Sequence, residues 1–193
     1  MSSNFYAILS RMKYINRWGL MRNTQTENIS EHSLQTAMIA HSLALINNKF
    51  LDGKADANRA AVLAIYHDAS EIITGDMPTP VKYFSKEIKE AYERVEHVAK
   101  DRLLSMLPDE FKKDFSDIFY VTKEEEELNK LVKAADTLSA YIKCLEELRA
   151  GNNEFKKAKD SIEEKLNEMN IPEVKIFMDK FINGFSLPLD EQN

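Results

Sequence analysis

His67 and Asp68 are adjacent, Glu71 follows three residues later, and an isolated His32 upstream and Asp136 downstream add a second imidazole and a second carboxylate. His32, His67, Asp68 and Asp136 together make a mixed nitrogen and oxygen donor set, which suits a divalent first-row transition ion better than calcium. Four such ligands leave positions open on a five- or six-coordinate ion, where water and a phosphate oxygen bind together and both are activated. Glu71, surplus to that set, is placed to act as general base. The constellation outlines a hydrolase. Spacing alone leaves a second reading open, because a buried His beside an Asp also serves simply to satisfy a polar core.

These residues need elements to hold them. Asp56 as N-cap, Ala60, Leu63 and Ala64 as a stripe, and Gly75 as a stop predict a helix whose body runs over about 56 to 73. On it His67, Asp68 and Glu71, at spacings of three and four, project from one side. Asp76-Met77-Pro78-Thr79-Pro80 then reads as a stiff, non-helical loop. His32 falls in the first turn of a helix starting near Ser30, with Leu34, Ala37, Met38, His41 and Leu45 as its repeat. His41, nine residues on from His32, falls on the other side. Asp136 lies beside the stripe Leu128, Leu131, Val132, Ala135, Leu138, Ile142 and Leu145, in a helix opened by a Thr122 and Glu125 capping box and ended by Gly151.

The rest is also helical in pattern. Phe5, Ile8, Leu9 and Met12 mark a helix over about 4 to 12, and Phe84, Ile88, Tyr92, Val95, Ala99 and Leu103 mark a long one ending before Pro108. A less regular patch spans 109 to 121. Two amphipathic helices, around Phe155, Ile162 and Leu166 and around Val174, Phe177 and Phe181, close the chain with no sign of chemistry.

With 193 residues and 44% hydrophobic content, the chain suits one core and a single domain over residues 1–193. Only 5 Gly and 5 Pro leave few turns for a many-stranded protein, so the fold class is all-α. A formal net charge of -6 argues against nucleic acid or an anionic membrane as partner. One cysteine, Cys144, allows no internal disulfide and suits a reducing compartment. No run approaches the length needed to span a bilayer, which makes the cytoplasm the expected location.

The order His32, His67-Asp68, Asp136 across helical sequence resembles the HD-domain phosphohydrolase superfamily, whose four motif residues bind metal. More narrowly, Asn16-Arg17-Trp18, Leu20-Met21-Arg22-Asn23, Glu31-His32-Ser33-Leu34, Tyr66-His67-Asp68-Ala69-Ser70-Glu71, Thr74-Gly75-Asp76, Pro78-Thr79-Pro80-Val81-Lys82-Tyr83-Phe84 and Lys143-Cys144-Leu145-Glu146-Glu147-Leu148 are similar to the bacterial 5′-deoxynucleotidases of the YfbR type. The resemblance implies an all-α HD-domain helical bundle with the metal site between helices, a homodimer, and hydrolysis of deoxyribonucleoside 5′-monophosphates. It also implies one divalent transition-metal ion per subunit, with cobalt favoured and manganese, zinc, nickel, iron or copper as alternatives. By the same resemblance Arg17 and Trp18 lie at phosphate and sugar, and Asp76, Met77, Pro78 and Thr79 form a substrate loop. The resemblance also implies that Glu71 is needed for turnover, while the stiffness of its loop suits Asp76 to orienting substrate or protonating the leaving 5′ oxygen. One departure is Gly19, where the family pattern has proline; a glycine there loosens the backbone beside Trp18.

Two rivals remain. Another HD phosphohydrolase, acting on triphosphates, an alarmone or cyclic dinucleotides, would want more cationic groups than the Arg17 region supplies. A non-catalytic module that keeps a metal for structure would have no use for Glu71 and Asp76 beside open coordination positions.

Overall fold

The computed structural model describes residues 2–192, and their regular structure is helical. A short α1 (Phe5–Leu9) runs into a 3₁₀ turn, and a loop then leads to α2 (Ile29–Phe50), α3 (Ala57–Tyr66), the single turns α4 (Glu71–Thr74) and α5 (Thr79–Lys82), and α6 (Lys86–Ser105). The chain continues through α7 (Asp109–Phe119), α8 (Glu126–Arg149), α9 (Lys156–Glu168) and α10 (Pro172–Phe181). None of the described helices is long and apolar enough to cross a membrane.

The core forms where α2, α3 and α8 meet. Ala40, Leu43 and Ala44 of α2 pack with Ala60, Leu63 and Ala64 of α3 and with Ala135, Leu138 and Ile142 of α8, and Phe177 of α10 closes one side. The alanines matter because short side chains at a crossing let helix axes approach closely. The face of α2 differs from the expected one: Leu34 and Met38 are 60% and 57% exposed, while Ile39, Ala40 and Leu43 are buried. The helix begins at Ile29 because Asn28 and Glu31 form a reciprocal capping box, worth about 1 kcal/mol for the Asn28 cap. That signal, readable as Asn-x-x-Glu, fixes the position of His32 within the first turn.

The helix expected over 56 to 73 is broken. It stops at Tyr66, and His67 to Ser70 form a turn with Ala69 N–H donating to Tyr66 O (3.1 Å) and Glu71 N–H donating to Asp68 O (2.9 Å). The His67 ring explains the break, since its Nδ1 bonds the Ala64 carbonyl at 2.6 Å, the acceptor a continuing helix would give to Asp68 N–H. Beneath the turn lies a second cluster of Phe5, Ala69, Leu103, Leu107, Phe115 and Phe119. Two of these phenylalanines belong to α7, a regular helix where the sequence suggested an irregular patch. Pro80 likewise sits inside the first turn of α5, a position that needs no N–H of its own.

Only part of the expected stripe is used: on α6 Tyr92, Ala99 and Leu103 are buried and Val95 is 51% exposed, while Phe84, 80% exposed, lies before the helix begins. The expected capping box at Thr122 is replaced by a 3₁₀ turn without a side-chain cap. Glu125 instead accepts from Arg59 Nε (2.6 Å) and Nη2 (3.2 Å), tying the start of α8 to α3. Gly151, at φ 84°, follows the end of α8 as expected, whereas Gly75, at φ 74°, ends only the single turn α4 and not the long helix expected over 56 to 73; both backbone conformations favour glycine. Burial pushes the Cys144 thiol up to about 12, so it is inert packing.

Leu138, fully buried on α8, should report on this core. Leu138→Ala is expected to lower stability by about 2 to 5 kcal/mol. In urea titrations the midpoint should fall with the slope unchanged.

Candidate active site

His32 from α2, His67 and Asp68 from the turn after α3, and Asp136 from α8 come together. Ligand atoms of His32, His67 and Asp68 all lie within 4.8 Å of one another, a grouping that could hold a metal ion. Asp136 Oδ1 is 3.0 Å from His32 Nε2 and 3.9 Å from His67 Nε2. Asp68 Oδ2 is 3.5 Å from His32 Nε2 and 3.1 Å from His67 Nε2. His32 is completely buried, whereas the Asp136 side chain is 39% exposed and forms the open side. Asp136 therefore faces inward less fully than its place beside an apolar stripe suggested.

Both imidazoles are oriented from behind. Ser139 Oγ–H donates to Gln35 Oε1 at 2.6 Å, so its oxygen is left to accept from His32 Nδ1–H at 3.1 Å. The Ala64 carbonyl can only accept, which fixes the proton of His67 on Nδ1. With Nδ1 so engaged, a ring that carries no proton on Nε2 presents that lone pair to the centre, the arrangement in which imidazole binds a metal. His67 Nε2 and Glu71 Oε2 are buried without a hydrogen-bond partner, as expected of atoms aimed at a ligand. Ser139 and Gln35 were not singled out in the sequence, since nothing in their spacing distinguishes them.

Charge is concentrated here. Burial opposes ionisation of Asp68, but the His67 and His32 rings overcome it and lower the carboxyl to about 2. Asp136 is likewise held well below the usual range, because the neighbouring His32 and His67 rings, when they carry a proton, outweigh the cost of its burial. Those carboxylates raise His67 against its own burial, so proton and metal compete for the same Nε2. Glu71 behaves oppositely: burial, then Asp68 and Asp76, push its carboxyl up to about 9. Asp76 is raised chiefly by burial, with Arg17 pulling the other way.

Arg17 and Trp18 reach this centre from the loop between the 3₁₀ turn and α2. The loop is closed at its base by the Asn16 and Asn28 bridge, with Arg17 N–H donating to Glu27 O and Ile29 N–H donating to Ile15 O, both at 2.9 Å. Arg17 Nη1 lies 3.3 Å from Asp68 Oδ2. Glu27 went unnoticed in the sequence, yet its Oε2 accepts from both Arg17 Nε (3.2 Å) and Trp18 Nε1 (2.9 Å). One carboxylate thus aims the guanidinium and the indole together. Its position immediately before the Asn28 cap was the available signal.

Trp18 has φ 61°, a left-handed backbone conformation that costs a bulky residue about 1 to 3 kcal/mol and persists only where the surroundings enforce it. Phe155 packs against its ring at 5.3 Å between centroids, so the supposedly inert C-terminal region contributes here. The unusual backbone falls on Trp18 itself, and Gly19 beside it faces open space.

The Asp76 segment is held from α6. Tyr92 Oη–H donates to Gly75 O at 3.2 Å, and Lys82 pairs with Glu96 at 3.0 Å. The Trp18 backbone N–H, like Arg17, favours the ionised form of the Asp76 carboxyl, against its burial. Met77 and Pro78 are half-buried and Thr79 is exposed; among the described residues none of the three hydrogen-bonds to the His and Asp cluster.

Known proteins share this framework. The chain is 52% identical over 191 residues to a 5′-deoxynucleotidase of Shewanella oneidensis, covering 99% of this chain and 98% of that one. It is 53% identical to a 5′-deoxynucleotidase of Photorhabdus temperata, covering 98% and 96%. Among solved structures, an HD-domain phosphohydrolase from Listeria innocua superposes with a TM-score of 0.82 at 22% identity, over 94% of this chain and 88% of that one. A cyanophage S-2L HD phosphohydrolase, bound to dA and one catalytic zinc ion, superposes at 0.65 and 21% identity over 92% and 95%. These likenesses establish the HD-domain phosphohydrolase fold. Residues 4–185 match the family described as 5′-deoxynucleotidase YfbR-like, and with relatives more than half identical along nearly its whole length the chain belongs to that family.

Proposed function

We propose that this protein is a metal-dependent phosphomonoesterase that hydrolyses deoxyribonucleoside 5′-monophosphates to deoxyribonucleosides and phosphate. The observation that carries the reading is the convergence of two oriented Nε2 lone pairs with Asp68 beside the Arg17 guanidinium. His32, His67, Asp68 and Asp136 would hold one divalent transition ion, with cobalt as the favoured activator. The orphaned His67 Nε2 and the mixed imidazole and carboxylate donors suit such an ion. When bound, it supplies Lewis acidity toward water and phosphoryl oxygen and offsets the mutual repulsion of the surrounding carboxylates.

The chain's own residues then divide the work. Arg17, flanked by four carboxylates that keep its charge in place, turns its fork toward the phosphate. Glu71, in the ionised form that the charge of a bound cation would favour against burial and its acidic neighbours, takes a proton from the attacking water. Asp76, whose carboxyl is raised by burial, orients the substrate or returns a proton to the leaving 5′ oxygen. Trp18 walls off the 2′ position, and Met77, Pro78 and Thr79 complete the substrate loop. A single guanidinium at the phosphate favours a monoester over substrates with more phosphates. We assign the enzyme to the cytoplasm as a single HD domain that pairs into a homodimer, for which the exposed Leu34 and Met38 of α2 and Phe181 of α10 offer apolar surface.

Phosphate release from ribo- and deoxyribonucleoside mono-, di- and triphosphates across a panel of divalent metals tests the reading directly. Asp68→Ala should lose turnover and bound metal together, and full activity in a metal-free preparation with excess chelator would overturn it.

Glu71→Ala should keep metal and nucleotide while kcat falls by about two to four powers of ten. Metal loss in that variant would instead make Glu71 a ligand.

Trp18→Ala should narrow the kcat/KM preference for dAMP over AMP, whereas Arg17→Ala should depress both substrates. An unchanged preference after Trp18→Ala moves sugar selection to residues 76 to 79.

A further inference from the structure

The run Lys143-Cys144-Leu145-Glu146-Glu147-Leu148 has no place in the chemistry above, yet it carries a buried carboxylate with an unusual number of partners. Glu147, 1% exposed, accepts from Thr24 N–H at 2.9 Å, Thr24 Oγ1 at 2.6 Å, Gln25 N–H at 3.2 Å, Lys143 Nζ at 2.5 Å and Asn152 Nδ2 at 2.8 Å. Lys143 also donates to Gln25 O at 2.5 Å, and Asn152 donates to Arg22 O at 2.7 Å. Thus the backbone of residues 22 to 25 is gripped by the last turns of α8 and the residue just beyond them. A buried ion pair within one helix is weak evidence for stability, because desolvation offsets its attraction. The bonds to the loop have a clearer consequence, since this loop carries Trp18 at φ 61°. The same region supplies Phe155, packed on the Trp18 ring.

We propose that Glu147 is a positioning residue: together with Lys143 and Asn152 it clasps residues 22 to 25 and so holds Trp18 in the conformation in which it selects the sugar. The proposal rests on Trp18 facing the sugar, as argued above. Lys143 and Glu147 lie seven and eleven residues beyond Asp136, a spacing that returns to one face of α8 about two and three turns along. One rigid helix therefore sets the distance between the metal-side carboxylate and the loop that holds the indole.

Trp18 is the single tryptophan of the chain, so its fluorescence reads the loop without interference. Thr24→Val removes a donor at an exposed position, and Asn152→Ala removes a second contact, so both remain informative if Glu147→Gln does not fold. Each folded variant should show higher acrylamide quenching and lower anisotropy of Trp18, with bound metal unchanged. The ratio of kcat/KM for dAMP over AMP should fall about tenfold, as expected for a displacement somewhat below 1 Å. Thr24→Val and Asn152→Ala proteins with unchanged quenching and anisotropy would overturn the clasp. It is also overturned if Trp18→Ala collapses the sugar ratio while both clasp variants loosen Trp18 and leave the ratio intact. An unaltered ratio in Trp18→Ala defeats the sugar reading alone, and the fluorescence still decides whether Glu147 positions the loop.

Discussion

Three elements meet at one oxygen. Asp68 Oδ2 lies within 3.5 Å of His32 Nε2 from α2, His67 Nε2 from its own turn and Arg17 Nη1 from the loop before α2. The three contacts cannot all be kept if any one of these elements shifts by an ångström, so holding them together requires rigid packing beneath. The alanine-rich contact of α2, α3 and α8 supplies that rigidity on one side, and the aromatic cluster under Ala69 supplies it on the other. Well-packed interiors transmit small displacements instead of absorbing them. The site therefore inherits its precision from apolar contacts that never touch it.

Much of this was legible in the chain. The helical class and the end of α8 at Gly151 follow from residue type and period, which depend on local chemistry, while the four His and Asp residues were singled out by type and order and grouped by the family resemblance. What escaped was set by tertiary contacts. The helix over 56 to 73 breaks because the His67 ring takes a backbone acceptor, a competition invisible to apolar periodicity. Leu34 and Met38 fit a helical repeat yet face outward, because which side of α2 is buried depends on where α3 and α8 lie. Glu27 and Ser139 were missed because an orienting residue needs only one correctly placed oxygen, and many residue types at many spacings can provide it.

The arrangement of charge also explains why strain is tolerated at Trp18. Glu27 accepts from the side chains of Arg17 and Trp18 with one carboxylate oxygen, and these bonds help hold the left-handed conformation at Trp18. A proline at position 19 would stiffen that turn covalently. Here the stiffness comes from hydrogen bonds and ring packing instead, which leaves the loop dependent on the helix that grips it.

That dependence restricts how the gene can change. Adding or deleting a single residue between Asp136 and Lys143 would rotate everything beyond it by about 100° around the axis of α8, carrying Glu147 away from the loop while Asp136 stayed in place. The two halves of the site would then fall out of phase although every individual residue survived. Length variation among descendants of this chain should accordingly be confined to surface connections such as the turn between α9 and α10, while the middle of α8 keeps a fixed count even where its outward-facing side chains drift.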